Sequence, residues 1–317
     1  MRPSEFINQL WRTLDRRYTS QMEPYIADLL ANKALPSRSQ LSTICCEAVG
    51  GSTQQCLPLQ TAWLLLFHAT SLIDNIEDDN LQALHFYGSG HAHPVALDLN
   101  ISTGLIFLAT TALFELERFG NTPAASHAVR WAFNERFLEV CSGQHLDLLL
   151  QTAPLETAWE ITRAKSGLYM ALATWSGARL RTDDAAALRD YYEIGLCIGL
   201  LIQISDDLKD LRGDNTEISD IQAANYKSLP IAYAFEVLDE KRQEELAQLL
   251  SKALADKQCE KAARHMILDS GAGLYLAIKA QEYATAAAEA LSRLTMPDLQ
   301  REQLAKLIEQ LQVARMV

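Results

Sequence analysis

The run GLLIQISDDLKD, Gly199 to Asp210, places three aspartates, Asp206, Asp207 and Asp210, on an otherwise apolar segment. In a helix, residues i, i+3 and i+4 share a face. Asp206 and Asp210 then stack, with Asp207 beside them. Carboxylates this close repel, and a cation relieves the repulsion. Hard oxygen donors suit Mg²⁺, which keeps open positions for substrate phosphates. Far upstream, SLIDNIEDDN carries Asp74 and Asp78, again four apart. Two facing acidic helices would form a cage for a metal-bound diphosphate.

The elements that must carry these residues read as helices. Ala, Leu, Glu and Gln dominate, and two-residue alternation is absent. Breakers are sparse: Pro36, Gly50-Gly51, the Gly88 to Pro94 stretch, Gly120 to Pro123, Pro154, the Gly213 to Ala224 stretch and Pro297. Leu57 to Asp79 and Asp184 to Leu211 are apolar nearly all round, as central helices are. From Glu236 onward, Glu and Lys alternate with Leu and Ala, as in more exposed helices. No repeat or linker interrupts the 317 residues. The expectation is an all-α fold, one domain over residues 1–317, built as a helical bundle with its site in the core.

Composition narrows the function. Apolar residues make up 49% of the chain, enough for a sizeable core. The formal charge of −12 argues against nucleic acid, which needs a basic surface, and against charge-driven docking on anionic lipid. The opening MRPSEFINQLW is too polar for a secretory signal. The longest uninterrupted apolar runs, such as Ile194 to Ile204, are too short to span a bilayer. A cytoplasmic protein without a membrane span is expected. The six cysteines form no CxxC pair and read as reduced core thiols. His85, His91 and His93 read as solvated loop residues, because no acidic or thiol partner shares their spacing.

Beyond DDLKD and its preceding IQIS, several motifs point one way. Gln203, Gly195 and Gly199 precede the aspartates. KSGLYMALA supplies Lys165, Ser166 and Gly167. GQHLD supplies Gln144 and Asp147. YKSLPIAYA supplies Lys227 and Pro230. Together they resemble the FQxxDDxxD, KTGxL, GQxxD and GKxTLP elements of the trans-isoprenyl diphosphate synthase (polyprenyl synthetase) family, from about Cys46 to about Leu294. The resemblance implies an all-α bundle that holds Mg²⁺, three ions with substrate bound, between two aspartate-rich helices. It also implies a homodimer and a prenyl diphosphate substrate. Asp74, Asp78, Asp206 and Asp210 would hold metal, with Asp207 joining them in catalysis. Lys165, Lys227, Gln203 and Arg38 would contact diphosphate. Fixed positive charge and metal would neutralise the leaving group, and a dry cavity would protect the carbocation.

The chain also departs from that family. Its first acidic motif reads DNxxD, with Asn75 in place of an aspartate. A shifted register would put Asn75 and Asp79 on the metal instead, but the LPL at Leu57 to Leu59 favours Asp74 and Asp78. Where the family has GKRxRP, ALPSRS at residues 34–39 keeps only Arg38. The paired arginines after the first motif are missing from LQALHFYG, residues 81–88, and Phe67 takes the place of a histidine. Arginine grips diphosphate by paired hydrogen bonds, so the isopentenyl diphosphate site looks dismantled. The expectation is therefore a single-substrate terpene synthase or cyclase. The alternatives are a trans-polyprenyl (geranylgeranyl-type) diphosphate synthase that uses isopentenyl diphosphate, or a non-catalytic partner subunit of one. Ala69 and Thr70 stand where bulky aromatics close the pocket in the family, which points to a twenty-carbon substrate. Phe67, Gln144 and Asp147 complete the expected pocket.

Overall fold

Local chemistry decides where the helices begin and end. Ser52 opens a capping box: its Oγ accepts from the Gln55 amide, and the Gln55 side chain accepts from the Ser52 amide at 3.1 Å. The long helix that follows, Thr53–Glu77, therefore starts four residues before the apolar run suggested. At its other end Asp79 takes a left-handed φ of 54°, and the Asn80 amide closes onto the Asn75 carbonyl. Asp184 accepts from the Ala186 amide at 2.8 Å and starts Ala185–Arg212, which ends at Gly213, φ 80°.

The computed structural model describes residues 1–11, 16–20, 22–23, 40–213 and 219–313. Arg38 lies outside them. The described residues hold thirteen α-helices: α1 Pro3–Leu10, α2 Leu41–Ala48, α3 Thr53–Glu77, α4 Pro94–Phe114, α5 Pro123–Leu149, α6 Leu155–Thr162, α7 Leu168–Arg179, α8 Ala185–Arg212, α9 Leu229–Val237, α10 Glu240–Leu250, α11 Lys257–Asp269, α12 Ala272–Arg293 and α13 Asp298–Val313. Their one β-pairing is an isolated parallel bridge between Thr152 and Tyr226. The all-α expectation holds.

These helices form two compact units, each assembled from separate stretches. The first comprises Met1–Asn134, Ala173–Leu188 and Met296–Arg301. In it α3 lies along α4, with α1 and α2 packed against α3. Leu59, Leu65 and Ala69 of α3 and Leu105 and Ala109 of α4 are wholly buried. The Ser102 hydroxyl donates to the Ala69 carbonyl at 2.7 Å and ties the two helices together. The second unit comprises Glu135–Leu172, Arg189–Thr295 and Glu302–Val317. In it α9 packs against α6, α11 and α12 around Ile231, Ala234, Leu246, Ile267 and Ala272.

By length and composition, α3 and α4 are each apolar enough to cross a membrane. That corrects the expectation drawn from uninterrupted runs: single polar residues break the runs without making the helices polar. About two-thirds of the apolar window in α3 is buried (67%), as in the core helix of a globular protein. All six cysteines are free. Four are buried, but Cys141 is exposed and Cys259 half-buried, so the core-thiol expectation fails at those two. His85, His91 and His93 are exposed, as expected.

Candidate active site

In the second unit, a break in helical regularity positions the first lysine. Between α6 and α7 the backbone makes a π-turn, Arg163–Gly167, with Lys165 at its centre. Such turns are rare and concentrate at functional sites. Two glycines let neighbouring helices approach it. A Cβ on Gly199 of α8 would collide with the Ser166 carbonyl oxygen, and one on Gly143 of α5 with the Ala164 methyl. The turn is therefore held between α5 and α8.

Lys165 Nζ lies 2.8 Å from Asp147 Oδ2, near the end of α5. Lys227 reaches the same carboxylate from the loop before α9, with Nζ 3.0 Å from Asp147 Oδ1. It also donates to the Asp147 backbone carbonyl. The Thr152–Tyr226 bridge holds that loop beside the chain leaving α5. The side chains of Asp147, Lys165 and Lys227 are 15%, 28% and 18% exposed, so the triad is half sheltered from water. Burial pushes the Asp147 carboxyl up. The Lys165 and Lys227 ammonium groups together outweigh it and hold the carboxyl below the ordinary carboxylate range. Gln144, one turn earlier on α5, is half-buried.

The aspartates of α8 have three different environments. Asp206 is about half exposed and pairs with Lys209 at 2.8 Å. Asp207 is buried: Ser166 Oγ donates to Gln203 Oε1 at 2.9 Å, and Gln203 Nε2 donates to Asp207 Oδ1 at 2.8 Å. Both ends of the Gln203 amide are thus engaged with protein. Asp207 Oδ2 is buried and accepts no hydrogen bond from the described residues. Burial, then the Asp220 carboxylate, drives the Asp207 carboxyl well above its ordinary range. Asp210 is also buried; its Oδ2 accepts from the Asp220 amide at 2.8 Å, and its carbonyl accepts from Arg264. The helical stack therefore comes apart into one solvent-facing carboxylate, Asp206, and two that face protein.

Asp220 and Arg264 were not foreseen. Asp220 lies in a turn at no fixed helical spacing from α8, and Arg264 sits more than fifty residues away, so nothing local in the sequence marks them. Arg264 also pairs with Glu260 at 2.6 Å.

In the first unit, Phe67, Thr70, Asp74 and Asp78 follow one another at helical spacing along α3. Asp74 and Asp78 are exposed, Asp78 as the C-cap. Asp79 has left the helix, so Asn75 and Asp79 do not form an i, i+4 helical pair. Thr70 is half-buried and its hydroxyl donates back to the Leu66 carbonyl at 3.0 Å. Ala69 is roughly 140° around the helix from Asp74 at 100° per residue, and is fully buried. It belongs to the core face of α3, whereas Thr70 shares the acidic face.

Among the described residues, no three His, Cys, Asp or Glu side chains converge as a preformed metal cage. The donors are nonetheless all hard oxygens, and Asp207 keeps an orphaned buried oxygen. Such a set fits Mg²⁺, which retains waters and completes its shell with one or two carboxylates and substrate phosphate.

The chain is similar to known proteins in both sequence and fold. The polyprenyl synthetase family model matches residues 22–267. A short chain isoprenyl diphosphate synthase of Methanothermobacter thermautotrophicus is 28% identical over 289 residues, 86% of this chain and 84% of that protein. Another, from Methanocaldococcus jannaschii, is 25% identical over 222 residues, 66% of this chain and 65% of that protein, slightly under two-thirds of its length. In fold, the chain resembles geranylgeranyl pyrophosphate synthetase from Pyrococcus horikoshii, with a TM-score of 0.84, 23% identity, and coverage of 98% and 94% of the two chains.

Proposed function

Since this chain belongs to the polyprenyl synthetase family, an enzyme family of prenyltransferases, we propose that it is a trans-prenyl diphosphate synthase of geranylgeranyl type. It would join an allylic prenyl diphosphate to isopentenyl diphosphate. The observation that carries the diphosphate chemistry is the pair of lysines, Lys165 and Lys227, converging on Asp147. Two sheltered ammonium groups from separate elements suit a diphosphate leaving group. The family match, residues 22–267, takes in segments of both compact units, and we propose residues 1–317 as one functional domain.

The family is generally Mg²⁺-dependent. We assign metal-holding roles to Asp74 and Asp78 on α3 and, separately, to Asp206 and Asp210 on α8. Bound there, Mg²⁺ would neutralise diphosphate charge as a Lewis acid. The rest falls to the chain itself. Lys165 and Lys227 hold the anion, and the Ser166–Gln203–Asp207 hydrogen-bond chain fixes α8 against the π-turn.

This reading replaces the single-substrate cyclase expected from the missing arginines, because the curated relatives are isoprenyl diphosphate synthases. One observation still favours the cyclase: residues 81–88 carry no arginine. A single assay separates the two. Purified protein is incubated with Mg²⁺ and geranyl, farnesyl or geranylgeranyl diphosphate, with and without isopentenyl diphosphate, and products are identified by mass spectrometry. We expect a longer diphosphate only when isopentenyl diphosphate is present. A hydrocarbon or alcohol formed without it would sink the condensing reading.

We also propose a homodimer. Leu99, Phe107 and Phe114 lie within about 80° of arc on α4, and Phe107 and Phe114 are each 69% exposed. Trp131 of α5, in the same unit, is 66% exposed. A stripe of large exposed aromatics is what a self-complementary interface buries.

A further inference from the structure

If Lys165 and Lys227 are the diphosphate grip, the fold has already filled that grip with an anion of its own. Asp147 offers one carboxylate oxygen to each ammonium group, at 2.8 and 3.0 Å. Its backbone carbonyl takes a further donor direction of Lys227. A phosphate group presents the same kind of paired anionic acceptor. The three side chains come from three elements, α5, the π-turn and the loop before α9, all within one compact unit. An ion pair needed only for stability requires one lysine; here one carboxylate serves two. Without it, two sheltered ammonium groups would repel each other at a separation where screening is weak.

We propose that Asp147 is a positioning residue that acts as an internal stand-in for diphosphate. It keeps the two lysines converged. It is displaced when substrate diphosphate arrives, and it returns to both lysines as product diphosphate leaves. This inference rests on the diphosphate reading above and adds a release step that the reading does not contain. Asp147 competes with the anion, so removing its charge strengthens anion binding while slowing turnover. A residue that simply braced the fold would do the reverse, or would change neither.

The test is calorimetric titration of inorganic pyrophosphate into the full-length wild type, Asp147→Asn and Asp147→Glu, with turnover measured in parallel. Asp147→Asn should bind pyrophosphate about tenfold more tightly, or about 1.4 kcal/mol. Its KM and kcat should fall together, as expected when product release slows. Asp147→Glu, which keeps the charge, should stay close to wild type. If the wild type binds pyrophosphate and Asp147→Asn binds it equally or less well, the stand-in role is overturned and the diphosphate reading survives. If none of the three binds, both are overturned. In the unmodified chain, the Asp147 carboxyl-carbon NMR signal should shift on adding pyrophosphate. A signal that does not move also overturns the proposal, whatever the folding of the variants.

Discussion

Asp206 differs from its neighbours in facing water, and that difference separates catalysis from stability. Its ion pair with Lys209 is exposed on both sides, and such pairs contribute roughly 0–1 kcal/mol. Asp206→Ala should therefore shift the denaturation midpoint little while lowering turnover by about 10²–10³-fold, the scale of losing one charge-stabilising group. Equal losses of activity and stability would remove Asp206 from the reaction. Asp147 makes a pH prediction. Its folded pKa is lowered by the two lysines, against the opposing effect of burial. Its contribution is thus fully present above the unfolded value, roughly 3.9, and is lost as pH falls through the folded value. Denaturant titrations from neutral pH to below pH 3 should show the wild type losing more stability than Asp147→Asn. Parallel losses in the two proteins would mean that the lysines do not stabilise the charged carboxylate.

The π-turn and α8 must be considered as a pair of elements. Lys165 is placed by a backbone irregularity that survives because Gly199 lets α8 lie against the Ser166 carbonyl. The obstacle to a side chain at 199 is backbone, which cannot rotate away. Gly199→Ala should cost about 1–3 kcal/mol, the usual range for overpacking. It should also raise KM, because the turn that moves carries Lys165. Urea denaturation with steady-state kinetics checks both, and a KM unchanged in a destabilised variant would uncouple the turn from the site. Helix α3 teaches a complementary lesson. The apolar pattern points to a start at Leu57, whereas a capping box at Ser52 begins the helix at Thr53. Its end separates Asp78 from Asp79, because the left-handed residue at 79 stops the spiral.

For the molecule as a whole, the surface of the first unit carries the remaining prediction. Phe107, Phe114 and Trp131 are large, apolar and more than half exposed. Sedimentation should find a dimer for the wild type. Phe107→Glu combined with Phe114→Glu should shift it towards monomer without unfolding, since neither side chain belongs to a buried core. A wild type that stays monomeric at micromolar concentration would end the homodimer proposal. The net charge of −12 favours dispersed, soluble assemblies over nonspecific association, so a defined apolar stripe is a better explanation of a dimer than general stickiness.

The sequence by itself determined the all-α class, the helices that carry the acidic motifs and the family, because helical periodicity and motif spacing are local properties of the chain. It also placed Asp74 and Asp78 on one helical face. Only the tertiary structure decided which aspartates meet water: Asp206 does, whereas Asp207 and Asp210 are turned to Gln203 and to the Asp220 turn. It alone brought Asp147, Lys165 and Lys227 together from positions 18 and 80 residues apart. Ala69 illustrates the same limit: its small size was legible, but its burial on the core face of α3 was not. Burial and long-range pairing depend on which helices pack together, and no single stretch of sequence contains that information.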